Sequence, residues 1–412
     1  MKITDIEIIP IYPRLAKRNE DKQIRFRGIN HRTVYKVYTD KGLVGYGDYR
    51  ATHSGPTARS RVEPLIGCNP FDFIMADLDP GLAGALYDVM GKYLEVPVYK
   101  LMGQKVRDAV SVAAWTRPSP PEDFRDEILR AAAQGYTIFK MHTCPYYDVI
   151  EQTRAAEEVA PADFKIHWDF NGTNRTPGAV LPIIRELESH PIVGWIEDPL
   201  LRGDIDGWRR LRKRTRFPLI NHVLHLGGLQ QILFGVADAY IIGDIQGGGI
   251  IGETLKRGIT FGRANIQTLI QLTGGTLTKA LALHMAAVLP TATGHSINLD
   301  DQYGEDITIA RIPVIEGYSP VPEAPGLGYE VDEDALAQVA ANKPAEMPKH
   351  VGILHLPGGH KIHTPSYPDV ARLTGREEGT VRGINFELWE DDGSSEFAQI
   401  YERVHKQALD SR

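Results

Sequence analysis

Phe164-Lys165-Ile166-His167-Trp168-Asp169 and Ile192-Val193-Gly194-Trp195-Ile196-Glu197 are two short apolar runs that each end on a carboxylate, 28 residues apart. Between them, Gly178–Ser189 carries apolar residues three and four apart, the spacing of an amphipathic helix. Working outward, the same unit recurs. Ala109–Thr116 and Tyr136–Met141 precede it; Phe217–Asn221, Asp238–Asp244, Arg263–Thr268 and Gly294–Leu299 follow. Helical patterns at Pro121–Gln134, Asp148–Ala160, Asp206–Arg214, Gly228–Phe234, Ile251–Phe261 and Thr276–Leu289 separate them. Eight strands alternating with seven helices predict a parallel sheet. The strand ends Lys140, Asp169, Glu197, Asn221, Asp244, Thr268 and Asn298 recur every 23 to 30 residues, as one repeating unit would. An open nucleotide-binding sheet would place a glycine-rich turn after its first strand, and Trp115-Thr116-Arg117-Pro118 is not one. The pattern therefore predicts a TIM-like (β/α)7β barrel.

The flanks differ from the repeat. Residues 1–108 open with strand patterns at Met1–Tyr12, Arg32–Asp40 and Val44–Tyr49, then turn helical, which predicts an α+β capping domain. The charged stretch Arg14–Asn30 between the first two strands is long enough for a mobile loop. The barrel is expected over 109–320. Residues 321–412 are read as a segment returning to the capping domain plus an extension, with a helix at Glu396–Ala408.

A formal charge of -7 disfavours nucleic acid and anionic membrane as partners. The basic run Arg209–Arg214 sits on a helix pattern with Trp208 and Leu211 as its apolar face, so it reads as a solvated helix surface. Two cysteines, Cys68 and Cys144, give no disulfide framework. With no signal-like or membrane-length apolar segment, a cytoplasmic location is expected.

Barrel enzymes place their sites at the C-terminal ends of the strands. The candidates are therefore Lys140 and His142, Asp169 and Asn171, Glu197, Asn221 and His222, Asp244, and Asn298 with Asp300 and Asp301. Asp169, Glu197 and Asn221 present three oxygen ligands on successive strands, a set suited to a hard cation such as Mg²⁺. Acidic strand ends also serve as helix caps, but three such side chains on neighbouring strands favour a cation.

The segments Gly84–Lys92 and Val96–Gly103, Phe139-Lys140-Met141-His142, Trp168-Asp169-Phe170-Asn171-Gly172, Trp195-Ile196-Glu197-Asp198-Pro199, and Gly243-Asp244 before Gly247-Gly248-Gly249-Ile250 resemble the mandelate racemase/muconate lactonizing enzyme branch of the enolase superfamily. The likeness spans about residues 1–330. It implies Mg²⁺-assisted abstraction of a proton α to a carboxylate, a small-molecule carboxylate substrate and a homo-oligomer. The asparagine after Pro218-Leu219-Ile220 resembles the third ligand of sugar-acid dehydratases similar to glucarate dehydratase. Its spacing from Pro218 is one residue short and leaves His222 as the alternative ligand.

Two departures from the family pattern shape the expectation. Where the family has Lys-x-Lys, this chain has Lys140-Met141-His142, so His142 takes the base role and Lys140 neutralises the substrate carboxylate. Asp244 remains on the sixth strand, but its usual histidine partner is missing from Ala264–Thr268, which disfavours a two-base racemase. Dehydration of an aldonate or aldarate to a 2-keto-3-deoxy acid is the expected reaction, with Arg117, Asn171, Arg175, Gln267, Asp300 and Arg25 as candidate substrate contacts. The alternative is a diverged barrel that binds a carboxylate without turnover. A third reading moves the base to Tyr46, Tyr146 or Tyr147. Gly247–Gly249 and the tail residues His355, His360 and His363 read as loop features.

Overall fold

β-Branched and aromatic residues alternate with polar ones over the first fifty positions, and they pair as strands: β1 (Ile3–Ile11), β2 (Arg32–Thr39) and β3 (Val44–Arg50), antiparallel in the order β1-β2-β3. These come from a computed structural model that describes residues 1–50, 59–76, 78–222, 224–243, 251–368, 370–375, 377–406 and 409–411. The repeat supplies β4 (Ala109–Thr116), β5 (Ile138–His142), β6 (Lys165–Asp169), β7 (Val193–Glu197), β8 (Leu219–Asn221), β9 (Ala239–Ile242), β10 (Gln267–Ile270) and β11 (Ser296–Ile297). Their order is β10-β9-β8-β7-β6-β5-β4-β11, with β12 (Tyr318–Pro320) antiparallel beside β4. Gln271, the residue after β10, bridges in parallel to Ile297 of β11 and brings the two ends of that order together. The fold is the (β/α)7β barrel with an antiparallel α+β capping sheet.

The chain divides into two compact units. One comprises Met1–Trp115, Gly135–Ile138 and Asn221–Pro344. In it Ile3, Ile6, Tyr35 and Val37 of the capping sheet pack on Leu82, Ala85, Leu86 and Val89 of the helix Pro80–Leu94. Gly45 and Gly47 permit that approach, because a Cβ on either would collide with the helix backbone at Ala85 and Gly81. The capping sheet is locked by Arg32, whose guanidinium Nε donates to Asp48 at 2.6 Å, both side chains wholly buried. Asp48 also accepts from the backbone N–H groups of Gly275 and Thr278, where the helix Thr276–Val288 starts.

Within the same unit, the stretch Arg14–Asn30 is tethered rather than loose. It forms two 3₁₀ turns, Lys17–Asn19 and Gln23–Arg27. Asn19 Nδ2 donates to Gln302 Oε1 at 3.0 Å, Arg18 to the Asp301 carbonyl at 2.8 Å, and Asn30 to the Pro13 carbonyl at 2.9 Å. The expectation of a mobile loop missed these side-chain anchors, which length and charge do not reveal.

The other unit comprises Thr116–Gln134, Phe139–Ile220 and Ala345–Arg412. It carries most of β5 through β8, the helices Pro121–Ala133, Val149–Glu157, Pro177–Leu187 and Ile205–Arg212, and the tail. The helix starts are written in the sequence: Asp148, Thr176 and Asp204 each accept a backbone N–H as N-caps, and Trp208 and Leu211 are the buried face of the basic helix. The tail adds β13 (His350–His355), β14 (Lys361–Thr364), β15 (Asn385–Glu390) and β16 (Leu409–Ser411), in the order β15-β13-β14-β16, and the helix Ser395–Lys406. Leu354, Val370, Val381, Ile384 and Phe386 of the tail pack on Cys144, Tyr146 and Tyr147, just beyond β5.

β10 departs from its expected place. Arg263 closes the helix Ile251–Arg263, and Asn265 takes a left-handed φ of 56° while the Ile266 N–H returns to the Phe261 carbonyl. The run Ala264–Ile266 is thus a helix terminus. The strand begins only at Gln267 and ends at Ile270.

Candidate functional site

β6 and β7 run parallel with Trp168 opposite Ile196 and Asp169 opposite Glu197. In-register residues of parallel strands project to one face, so the two carboxylates share a side. Both are buried, as is Lys140 of β5. Lys140 Nζ donates to Asp169 Oδ2 at 2.6 Å and lies 3.6 Å from Glu197 Oε2. Burial alone would depress the lysine, but the facing carboxylates of Asp169 and Glu197 outweigh it and hold its pKa above the ordinary value. His167, two residues before Asp169 on the same strand, places Nε2 2.8 Å from Glu197 Oε2.

His142 ends β5 with its ring between two partners. Nε2 lies 3.0 Å from Lys140 Nζ, and Nδ1 lies 2.6 Å from Asn171 Oδ1 and 3.1 Å from Asp169 Oδ2. Lys140, Asp169 and Glu197 are sealed, whereas His142 keeps 18% of its side chain accessible and so forms the open edge of the cluster. Burial, then the Lys140 charge, push its pKa down to about 4 against the pull of Asp169; Arg117 acts in the same direction as Lys140. The imidazole is therefore neutral at physiological pH.

Asn171, just past β6, sits in the left-handed region at φ 57°, and its N–H donates to Asp169 Oδ1 at 2.7 Å. Its amide donates to the carboxylate of Glu378 and, at 3.2 Å, to the Thr143 carbonyl. Glu378 comes from the tail. It also accepts from Thr143 Oγ1 at 3.1 Å and Thr173 Oγ1 at 3.4 Å. Burial pushes its carboxyl up to about 7, against the hydrogen bonds from Asn171 and Thr143. Sequence reasoning missed His167 and Glu378. The period-two alternation back from Asp169 would have found the first; no sequence signal indicates the second.

The remaining candidates fall in different places. Arg175 is exposed on the loop after β6, and its backbone N–H, not its guanidinium, meets the Glu377 carboxylate at 3.0 Å. Asn221 and His222, in the first unit, are buried at and just past the end of β8. Asp300 is buried and bound by Lys279 Nζ at 2.9 Å, so its charge is already matched. Arg25 stacks its guanidinium 4.3 Å from the Phe26 ring. Asp244 and Gly247–Gly249 lie outside the described residues.

Gln267 is corrected: it starts β10, exposed at the opposite end from the strand C-termini, and donates to Thr293 Oγ1 at 3.1 Å. The misplaced strand start put it at the wrong end; Gln271 is the residue that follows that strand's C-terminus. The tyrosines are engaged elsewhere. Tyr46 donates to Glu333, while Tyr146 and Tyr147 pack together in the aromatic cluster with Phe386. Among the described residues no helix is long and apolar enough to cross a membrane.

Comparison with known proteins agrees with this architecture. Over 358 residues the chain is 25% identical to a D-galactonate dehydratase of Klebsiella pneumoniae and to one of Ralstonia nicotianae, covering 75% of this chain and 91% of each relative. Among solved structures, an N-succinyl Arg/Lys racemase from Bacillus cereus superposes with a TM-score of 0.68 at 24% identity, over 83% of this chain and 99% of that one. A 3,6-anhydro-D-galactonate cycloisomerase from Zobellia galactanivorans gives 0.66 at 21%, over 82% and 99%. The family model described as "Enolase C-terminal domain-like" matches residues 123–335, more than half of the chain. With that barrel and these relatives, the chain belongs to the enolase superfamily, in its mandelate racemase/muconate lactonizing enzyme branch.

Proposed function

We propose that this protein is a Mg²⁺-dependent lyase that removes the proton α to a carboxylate and dehydrates a sugar acid, an aldonate or aldarate, to its 2-keto-3-deoxy acid. The observation that carries the reading is the buried pair Asp169 and Glu197 around one ammonium, with a neutral imidazole at the open edge. Two buried carboxylates facing each other across β6 and β7 supply the hard oxygen donors that a divalent cation takes. Asp169 and Glu197 would hold it. When bound, the cation stabilises the charge that builds on the substrate carboxylate as the α proton leaves.

His142 takes the α proton on Nε2, and Lys140, held by Asp169 and Glu197, supplies positive charge beside it. The proton then goes to the departing β hydroxyl, which leaves as water, and the resulting enol ketonises. A base whose conjugate acid is strong suits the second half of that sequence. The relatives named D-galactonate dehydratase support the substrate class. Incubation with Mg²⁺ and a panel of aldonic and aldaric acids, read as 2-keto acid formation, tests it. Keto acid from the parent and none from His142→Ala is the expected result; equal product from both removes His142 from the mechanism. One observation favours binding without turnover: β10, Gln267–Ile270, carries no titratable side chain that could serve as a second base. Mg²⁺-dependent ligand binding with no product from any acid would establish that reading instead.

A further inference from the structure

The C-terminal extension brings Glu378 to the strand ends of its own unit, and the contacts it makes there bear on which nitrogen of His142 carries a hydrogen. The Asn171 amide donates to the Glu378 carboxylate and to the Thr143 carbonyl, which can only accept. Turning the amide over would set its oxygen against that carbonyl whatever the state of Glu378, and against the ionised carboxylate as well, so Oδ1 faces His142. An amide oxygen accepts and never donates; Nδ1, 2.6 Å away, therefore carries the hydrogen. The lone pair is left on Nε2, the nitrogen facing Lys140. The tail is built to reach this place. Gly379 adopts φ +70° and lies so close to Phe170, the residue after β6, that a Cβ would come within 2.8 Å of its ring. Any other residue there is strained twice, by its backbone and by the contact. Arg382 fastens the segment further on, donating to Asp148, which caps the helix Val149–Glu157.

We propose that Glu378 is a positioning residue: it orients the Asn171 amide and thereby keeps the Nε2 lone pair of His142 available as the acceptor of a substrate proton. The tail thus completes the strand-end cluster of its unit. The consequence for catalysis rests on His142 being the base; the tautomer itself does not. Asp169 Oδ2, 3.1 Å from Nδ1, and the Lys140 ammonium, 3.0 Å from Nε2, favour the same tautomer, so loss of Glu378 loosens the preference without reversing it.

The test is solid-state ¹⁵N NMR of the full chain labelled at histidine, without metal or substrate, where the two neutral imidazole tautomers have separate shifts. His142→Gln identifies the signal among the 14 histidines. In the parent and in Glu378→Gln, which keeps an acceptor for Asn171, His142 is expected almost wholly as the Nδ1–H form. In Glu378→Leu the Nε2–H form is expected to rise about tenfold, the share one hydrogen bond of ordinary strength controls. Gly379→Val, which lifts the tail from Phe170, gives the same change and decides the matter should Glu378→Leu fail to fold. An Nδ1–H form that persists unchanged in whichever of the two variants folds overturns the proposal, whether or not any sugar acid is turned over.

Discussion

Replacing Glu378 by glutamine should stabilise the protein at pH 8 and change it little at pH 5. Burial raises the carboxyl from 4.5 to about 7, so the folded chain binds a proton there that the unfolded chain has released. For a raised pKa the contribution to stability is fully present below 4.5 and is lost as pH climbs to about 7. At 1.36 kcal/mol per pH unit across that window, the loss reaches at most about 3 kcal/mol. Glutamine carries no charge at any pH and keeps an oxygen for Asn171, so the variant escapes the loss. For the 412-residue chain unfolding together this corresponds to about 3–4 °C in melting temperature. The assay is the difference in melting temperature between variant and parent from pH 5 to 8, in EDTA, so that pH effects common to both cancel. A difference that grows through pH 6–7 is expected. A flat difference, or one that falls, would mean that Glu378 is solvated and ionised throughout, and the reasoning from its burial would fail. Added Mg²⁺ should shrink the gain, because a cation near Asp169 favours the ionised carboxylate.

Asp169→Asn and Glu197→Gln should each weaken Mg²⁺ binding at least tenfold by calorimetry, since each removes a charged ligand; unchanged affinity would place the cation elsewhere. His142→Ala should abolish α-proton exchange of a bound sugar acid in D₂O, by about 10²–10⁴-fold in rate, while leaving Mg²⁺ affinity within a factor of three. Asp48→Asn strands Arg32 in the capping sheet beside Asp306 alone, 3.6 Å away, and should cost about 3–5 kcal/mol; a shift in melting temperature under 2 °C would contradict the burial of that pair. Trp208→Ala should cost about 3–5 kcal/mol by emptying the buried face of the helix Ile205–Arg212, whereas Arg209→Ala, on the exposed face, should be nearly silent.

The barrel was legible because each of its parts is local. A run such as Lys165–Asp169 declares a buried strand by composition, and Asp148, Thr176 and Asp204 declare helix starts by the need to cap orphan N–H groups. Where two local rules overlap, the reading slipped. Ala264-Asn265-Ile266 is apolar enough for a strand, yet the left-handed Asn265 makes it the end of a helix. That displaced β10 by a few residues and turned Gln267 from a strand start into a supposed site residue. The strand-end cluster on β5, β6 and β7 survived because strand ends of a barrel converge whatever the neighbouring loops do.

What the sequence concealed is everything that depends on contacts across long separations. Glu378 follows Asn171 by 207 residues, and nothing around Glu377-Glu378-Gly379 distinguishes it from a solvated acidic turn. Only the folded tail, seated on Phe170 through Gly379, gives that carboxylate a partner and an unusual pKa. The same holds for the tether of Asn19 to Gln302, which turns a charged loop into part of the scaffold. If His142 is the base, its competence is not a property of Lys140-Met141-His142 alone. An imidazole with Lys140 on one nitrogen and an amide oxygen on the other is committed to one tautomer, and the group that aims the amide lies in a segment beyond the barrel. A search for the determinants of this reaction confined to the barrel motifs would therefore miss a residue that biases which nitrogen of His142 is free to accept a proton.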